Sequence, residues 1–137
     1  MDQFKLTINL AKVDQQDAVL MKNIVNDVQL YDRDLGDDGE TLKVKNSTGL
    51  EEVVLRGTGT FLLIESHWEN SDQAAGIVAG ARAPVEVQLQ VAGVWSTSWL
   101  PGSRFTFEDC GTITGFRVRN PDATDHVSKV RFIHGAV

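Results

Sequence analysis

Cysteine is almost missing from this chain. A single residue, Cys110, stands among 137, so no internal disulfide forms and the fold does not depend on an oxidising compartment. Long apolar runs are missing as well. No stretch reaches the ~18 apolar residues of a membrane-spanning helix. The N-terminal MDQFKLTINL lacks the basic start and apolar run of a signal peptide, so synthesis in a cytoplasm without signal-directed export is expected. An excess of positive charge is also lacking. Net charge is −6, from 13 basic against 19 acidic residues. Nucleic-acid binders gain affinity by neutralising phosphates with clustered cations. Here the basic residues are scattered apart from Arg117 and Arg119, which argues against nucleic acid and anionic membranes as partners. Only 3 prolines occur, and no linker-like composition divides the chain, so residues 1–137 are expected to form a single domain. At this length a domain buries roughly 68% of its unfolded surface, enough for a real core.

What is present is alternation. Phe4, Leu6, Ile8 and Leu10 interleave with Lys5, Thr7 and Asn9, the period of a half-buried strand. From Val13 to Tyr31 the signal is mixed. Leu20, Ile24 and Val28 have helical spacing, so a short helix or irregular segment is expected near 14–22 and a strand near 27–31. Strands are expected around 42–46 and 51–55, joined by NSTGL, and at 60–67 after the turn-rich RGTGT. The small-residue stretch 69–84 reads as a short helix capped by Ser71 or as a long loop. Beyond it, strands are expected at 85–91, 94–100, 104–108, 112–119 and 127–134, with turns at AG, PG, CG and NPDATD. About nine short strands with turn signals every 8–12 residues or so predict an all-β, antiparallel, jelly-roll-like β-sandwich with at most one short helix.

Within VEVQLQVAGVWSTSWLPGSRFTF the placement of two tryptophans is open. Val85, Val87, Leu89 and Val91 face one way, and Glu86, Gln88 and Gln90 the other. If the turn is only Ala92 and Gly93, then Gln90 faces Trp95 and Glu86 faces Trp99, on the outward side. If the turn holds three residues, both indoles enter the core, because a one-residue slip reverses every side chain. A type I′ turn suits Gly93 but asks Ala92 for a positive φ. An indole left in water forgoes about 2–3 kcal/mol of hydrophobic gain, which favours the core. The outward alternative would make Trp95, Trp99, Glu86, Gln88 and Gln90 a sugar-binding constellation.

Catalytic chemistry finds little support. Cys110 follows Glu108 and Asp109, which oppose a thiolate, and reads as an inert strand-end residue. His67, His126 and His134 have no metal-ligand spacing and read as ordinary histidines, and no GxSxG elbow occurs. Asp32, Asp34, Asp37, Asp38 and Glu40 crowd one turn, where hard oxygens can hold calcium. The pattern nonetheless fails an EF-hand register, and a solvated acidic loop is expected. Neither a catalytic, a cofactor nor a metal site is therefore assigned. GIVAG at 76–80 lies outside any apolar 20-mer, so its small residues speak only for close packing between subunits.

The segments VEVQLQV, the turn with Trp95, LPGSRFTF, GFRVRNP and KVRFIHG resemble a layout found in small β-rich structural proteins of phage particles. The resemblance covers about 60–134. It implies a jelly-roll-like subunit of a virion, such as a minor capsid, vertex, spike or decoration protein. Such a subunit has no catalytic residues and no cofactor, and it contacts other virion proteins and copies of itself. Segments 74–83 and 11–31 are the expected contact regions. The alternative is a carbohydrate-binding module built on Trp95 and Trp99.

Overall fold

The structure, a computed structural model, describes residues 3–13, 19–32 and 40–135. Its strands are β1 (Gln3–Val13), β2 (Val19–Asp32), β3 (Glu40–Val44), β4 (Leu50–Trp68), β5 (Val85–Val91), β6 (Val94–Trp95), β7 (Leu100–Gly102), β8 (Arg104–Arg119) and β9 (Ser128–Gly135). All pairings are antiparallel. β1 and β2 make a two-stranded ribbon of their own, and the other seven form one sheet in the order β3-β9-β4-β8-β5-β6, with β7 also on β5.

Alternation decides which side of each strand is wet. In β5 the side chains of Val85, Val87 and Leu89 are buried, and in β9 Val130 and Phe132 are buried while Lys129 and Arg131 are exposed. Two long strands then bend the sheet back on itself. The first part of β4 pairs Val53 with Phe116, and the last part pairs Ile64 with Phe105 and with Phe132. Along a straight strand Val53 and Ile64 would be about 36 Å apart, at ~3.3 Å per residue. Yet the rings of Phe116 and Phe132, their respective partners, meet with centroids 5.0 Å apart at 72°. The sheet is therefore folded over, and its two halves enclose one core containing Val44, Leu62, Ile64, Val87, Phe116 and Val130. This is the expected antiparallel, sandwich-like, all-β architecture.

The folds fall where the register slips. β4 and β8 lose step between Val54, Gly59 and Phe61. Opposite, Asp109 (φ 54°) and Gly111 (φ 99°) take left-handed conformations. Bulges of this kind bend a strand and let it pass from one layer to the other. The RGTGT and CG segments, expected to end strands, thus bend two continuous ones. The expected strands 51–55 and 60–67 are one, as are 104–108 and 112–119.

Other expectations are corrected in detail. Residues 19–22 are strand, not helix, because β2 pairs with β1 along its length, with Leu10 opposite Val25 and Phe4 opposite Tyr31. Cross-strand pairing outweighs a helical spacing that the β-branched residues only weakly support. Residues 14–18 and most of the acidic turn, 33–39, lie outside the described residues. The 69–84 stretch is a loop with one 3₁₀ turn at Gln73–Ala75, and Ser71 caps no helix: its Oγ accepts from the Ala79 amide at 2.8 Å. The expected 94–100 strand is split into β6 and β7.

Candidate functional site

The β5–β6 turn settles the tryptophans. Ala92 (φ 48°) and Gly93 (φ 78°) are both left-handed, as a two-residue type I′ turn requires, and Gln90 stands opposite Trp95. The register then slips, because Val87 pairs with Leu100 and Glu86 with Pro101. Glu86 therefore does not face Trp99 as the two-residue turn alone would have it, and residues 96–99 absorb the difference. Both indoles are half-buried and stand outside the core cluster, so the burial argument for the core is overturned. Its error was to set core against water. The guanidinium of Arg117 lies 3.9 Å from the Trp95 ring centroid, and that of Arg119 lies 4.1 Å from that of Trp99. Cation–π contacts are worth about 0.5–1 kcal/mol at exposed sites and about 2 when desolvated, so the arginines give the indoles a cover that is neither core nor solvent.

The polar members of the same face are engaged locally. Arg119 donates to Glu86 from Nε and Nη2, each at 3.2 Å. Gln88 Nε2 donates to the Ser96 carbonyl at 3.2 Å, and Gln90 Nε2 to the Gly93 carbonyl at 3.3 Å. Gln90 Oε1 accepts from the Thr114 hydroxyl at 3.0 Å. Trp99 and Glu86 nevertheless line a cavity of about 410 Å³ with Asn46, Arg119, Asn120 and Pro121. Trp95 does not reach it.

A second constellation lies at the end of the sandwich, where the β8–β9 loop meets the 69–84 loop. Asn120, 2% exposed, ties the β8–β9 loop down. Its Nδ2 donates to the Val44 and His126 carbonyls at 3.2 and 2.7 Å, and its Oδ1 accepts from the Asp122 amide at 2.9 Å. His126 then sits between two carboxylates. Nε2 is 2.7 Å from Asp72 Oδ2, and Nδ1 is 2.6 Å from both Asp122 Oδ2 and Thr124 Oγ1. The Thr124 hydroxyl donates to Asp122 Oδ1 at 2.6 Å. Hydrogen bonds to Asp72 and then Asp122 raise the His126 pKa above its ordinary value of 6.5. The Thr124 hydroxyl, the Thr124 amide and His126 lower that of Asp122 to about 2.

The chemistry of this arrangement follows from its donors. An imidazolium offers N–H groups to both carboxylates and keeps no lone pair, so it cannot take a proton from Thr124 as a triad histidine takes one from serine. The carboxylates lie on opposite ring nitrogens and so do not converge on one ion. Among the described residues no group of three or more His, Cys, Asp or Glu is arranged for a metal. The cluster borders a largely apolar cavity of about 400 Å³ that includes Trp68, Ile77, Pro84 and Pro121, and Trp68 meets His126 edge to face at 6.1 Å.

The remaining candidates stay apart. His134 is 8% exposed, and its ring fills the space above Gly59. His67 is at the outer end of β4, bridged to Arg82. Cys110 is exposed at the β8 bend. Sequence reasoning missed His126. Its pairing with Asp122 at i,i+4 was visible, but Asp72 comes from 54 residues away. No helix among the described residues is long and apolar enough to cross a membrane. Compared with known proteins, the chain matches no family, no curated protein and no solved structure.

Proposed function

We propose that this chain is a non-enzymatic structural component of a virus particle, of the phage minor capsid, vertex, spike or decoration type, working through contacts with other virion proteins and with copies of itself. The observation that carries the contact role is the β1–β2 ribbon. It has strands of 11 and 14 residues and, among the described residues, pairs with no strand of the larger sheet. An isolated two-stranded ribbon is marginal in water, so it gains stability by lying against another surface. Its outer backbone edges are long, whereas the edges of the sandwich are short: 5 residues in β3, 2 in β6 and 3 in β7. Short edges, and Pro101 within β7, resist pairing with another chain. The ribbon is thus the element through which a neighbour would join by strand addition. The virion setting rests on the resemblance of residues 60–134 to phage structural proteins.

Mass spectrometry of purified particles, with sedimentation velocity of the full chain, tests this. The expected result is the chain among particle proteins and a discrete oligomer that dissociates when 1–32 are removed. A chain that stays monomeric at high concentration and does not co-sediment with particles overturns the proposal.

The carbohydrate reading keeps one favourable observation, the cavity beside Trp99. Against it stand the engaged side chains of Glu86, Gln88 and Gln90 and the guanidinium already stacked on each indole. A glycan-induced shift in fluorescence that survives Trp68→Phe and disappears in Trp99→Phe would favour it over the assembly role.

A further inference from the structure

The His126 clasp adds a side-chain tie between two loops whose backbones also meet at Glu69 and Val127. The Asp72–Ile77 turn is closed within itself by reciprocal backbone bonds at 2.9 Å, Asp72 amide to Ile77 carbonyl and back. Its neighbours are anchored to β4: the Trp68 amide donates to Ala81 and the Gly80 amide to Trp68. At its other end the Glu69 amide donates to the Val127 carbonyl. Between these anchors, the bond from Asp72 to His126 is the side-chain tie from the turn to the β8–β9 loop. Ala75 and Ile77, on and at the end of the turn, line the 400 Å³ cavity together with Trp68 and His126.

We propose that this clasp is a proton-operated latch, in which the His126 imidazolium holds the Asp72–Ile77 turn over the apolar cavity and loss of its proton frees the turn and opens the cavity beside Trp68. A neutral imidazole has one N–H, so one of its two carboxylates then faces a lone pair. The latch uses the tautomer that keeps Nδ1–H on Asp122, which is four residues away on the same loop and is also bonded to Thr124, so that Nε2 turns its lone pair to Asp72. The long-range contact to Asp72 is the one that breaks. The charged groups facing the ring are Asp72 from the 69–84 loop and Asp122 from its own loop. β4 presents the uncharged Trp68. Glu69 is turned to Lys43 at 2.6 Å, and Asp125 accepts from the Ser47 amide and hydroxyl, each at 2.7 Å. The raised His126 pKa agrees with this geometry and places the opening on the alkaline side of the ordinary histidine range.

The test is an NMR pH titration of the full chain that follows the His126 ring, the Trp68 indole and the Ala75 and Ile77 methyls. The expected result is a His126 midpoint above ~6.5, with the Trp68, Ala75 and Ile77 signals moving at the same midpoint. In Asp72→Asn the turn signals lose that step and take their alkaline positions at every pH, while His126 still titrates against Asp122. In Asp122→Asn the step remains at a lower midpoint, because Asp72 still holds the ring. If Asp72→Asn does not fold, His126→Gln replaces it, and the turn is then free at all pH with native core signals from Val87 and Phe116. Turn signals that ignore the His126 titration, or a step that survives in Asp72→Asn, overturn the latch.

Discussion

The contact between Phe116 and Phe132 can be weighed by a double-mutant cycle. Phe116 is fully buried and Phe132 is 7% exposed, and their rings cross edge to face at 5.0 Å. Replacing either by leucine keeps most of the apolar volume, so each single change should cost about 1–2 kcal/mol, at the lower end of large-to-small core effects. If the rings meet, each single variant already loses the ring–ring term. The double variant should then lose less than the sum of the two by about 0.5–1.5 kcal/mol. Urea unfolding followed by tryptophan fluorescence gives the four stabilities, and an unchanged m-value shows that the same surface is exposed in each. Leucine is preferable to alanine, because two alanines would remove about 6–10 kcal/mol, comparable with the whole stability of a typical domain. Single costs in the expected range with a coupling near zero would mean that the rings do not touch. The folded-over sheet would then lose the ring contact that joins its two halves, since β9 and β8 are separated by β4 in the strand order.

Three further outcomes follow from the same geometry. Ala92→Asn should raise stability by about 0.5–1 kcal/mol, because asparagine tolerates the left-handed first turn position that alanine occupies at a cost; a lower melting temperature would contradict the type I′ turn. Gly59→Ala places a Cβ 1.8 Å from His134 Nε2 and should destabilise by about 1–3 kcal/mol through overpacking, whereas an unaffected variant would mean that the ring does not lie on that glycine. Stability should form a plateau in pH. Asp122, whose pKa falls from 3.8 to about 2 on folding, contributes fully above 3.8, and the contribution is lost as pH falls toward about 2. His126, raised from 6.5, contributes fully below 6.5, and its share is lost as pH rises through its folded value. Thermal melts across pH check both flanks, and His126→Gln should abolish the alkaline one and shrink the acid one, because His126 also helps to lower the pKa values of Asp122 and Asp72.

Much of the architecture was legible because the sheet is half-wet. Val85 to Val91 alternates without a break, and its predicted strand matches β5 at both ends. β9 is displaced by one residue from its expected span. The bent strands were harder. A glycine pair such as Gly57 and Gly59 marks a turn and a bulge with the same composition, and only the partner strand decides between them. β4 continues through RGTGT because β8 bends at Asp109 and Gly111 opposite it, a fact carried by residues some fifty positions away. The helical spacing of Leu20, Ile24 and Val28 misled for a related reason, since the pairing of β2 with β1 decides its state.

The site was less legible, and the two failures have one physical origin. The turn chemistry at Ala92–Gly93 leaves two registers open in the sequence, and weighing a buried indole against a wet one selects the register that the structure does not adopt. Arg117 and Arg119 were visible in the sequence, alternating with Phe116 and Val118 on a strand whose inward face was clear. They had to point outward, onto the same face that Trp95 would occupy in the two-residue register. A guanidinium stacked on an indole lowers the penalty of exposure, so the presence of those arginines was itself evidence for the outward register. His126 repeats the pattern. Taken alone it is an ordinary surface histidine, and its local partner Asp122 is only suggestive. What makes it a clasp is the second carboxylate, Asp72, delivered by a loop whose path depends on the β4 anchors at Trp68. In both places the fate of a side chain is set by the charged group that the fold brings to it, and hydrophobicity taken residue by residue cannot supply that information.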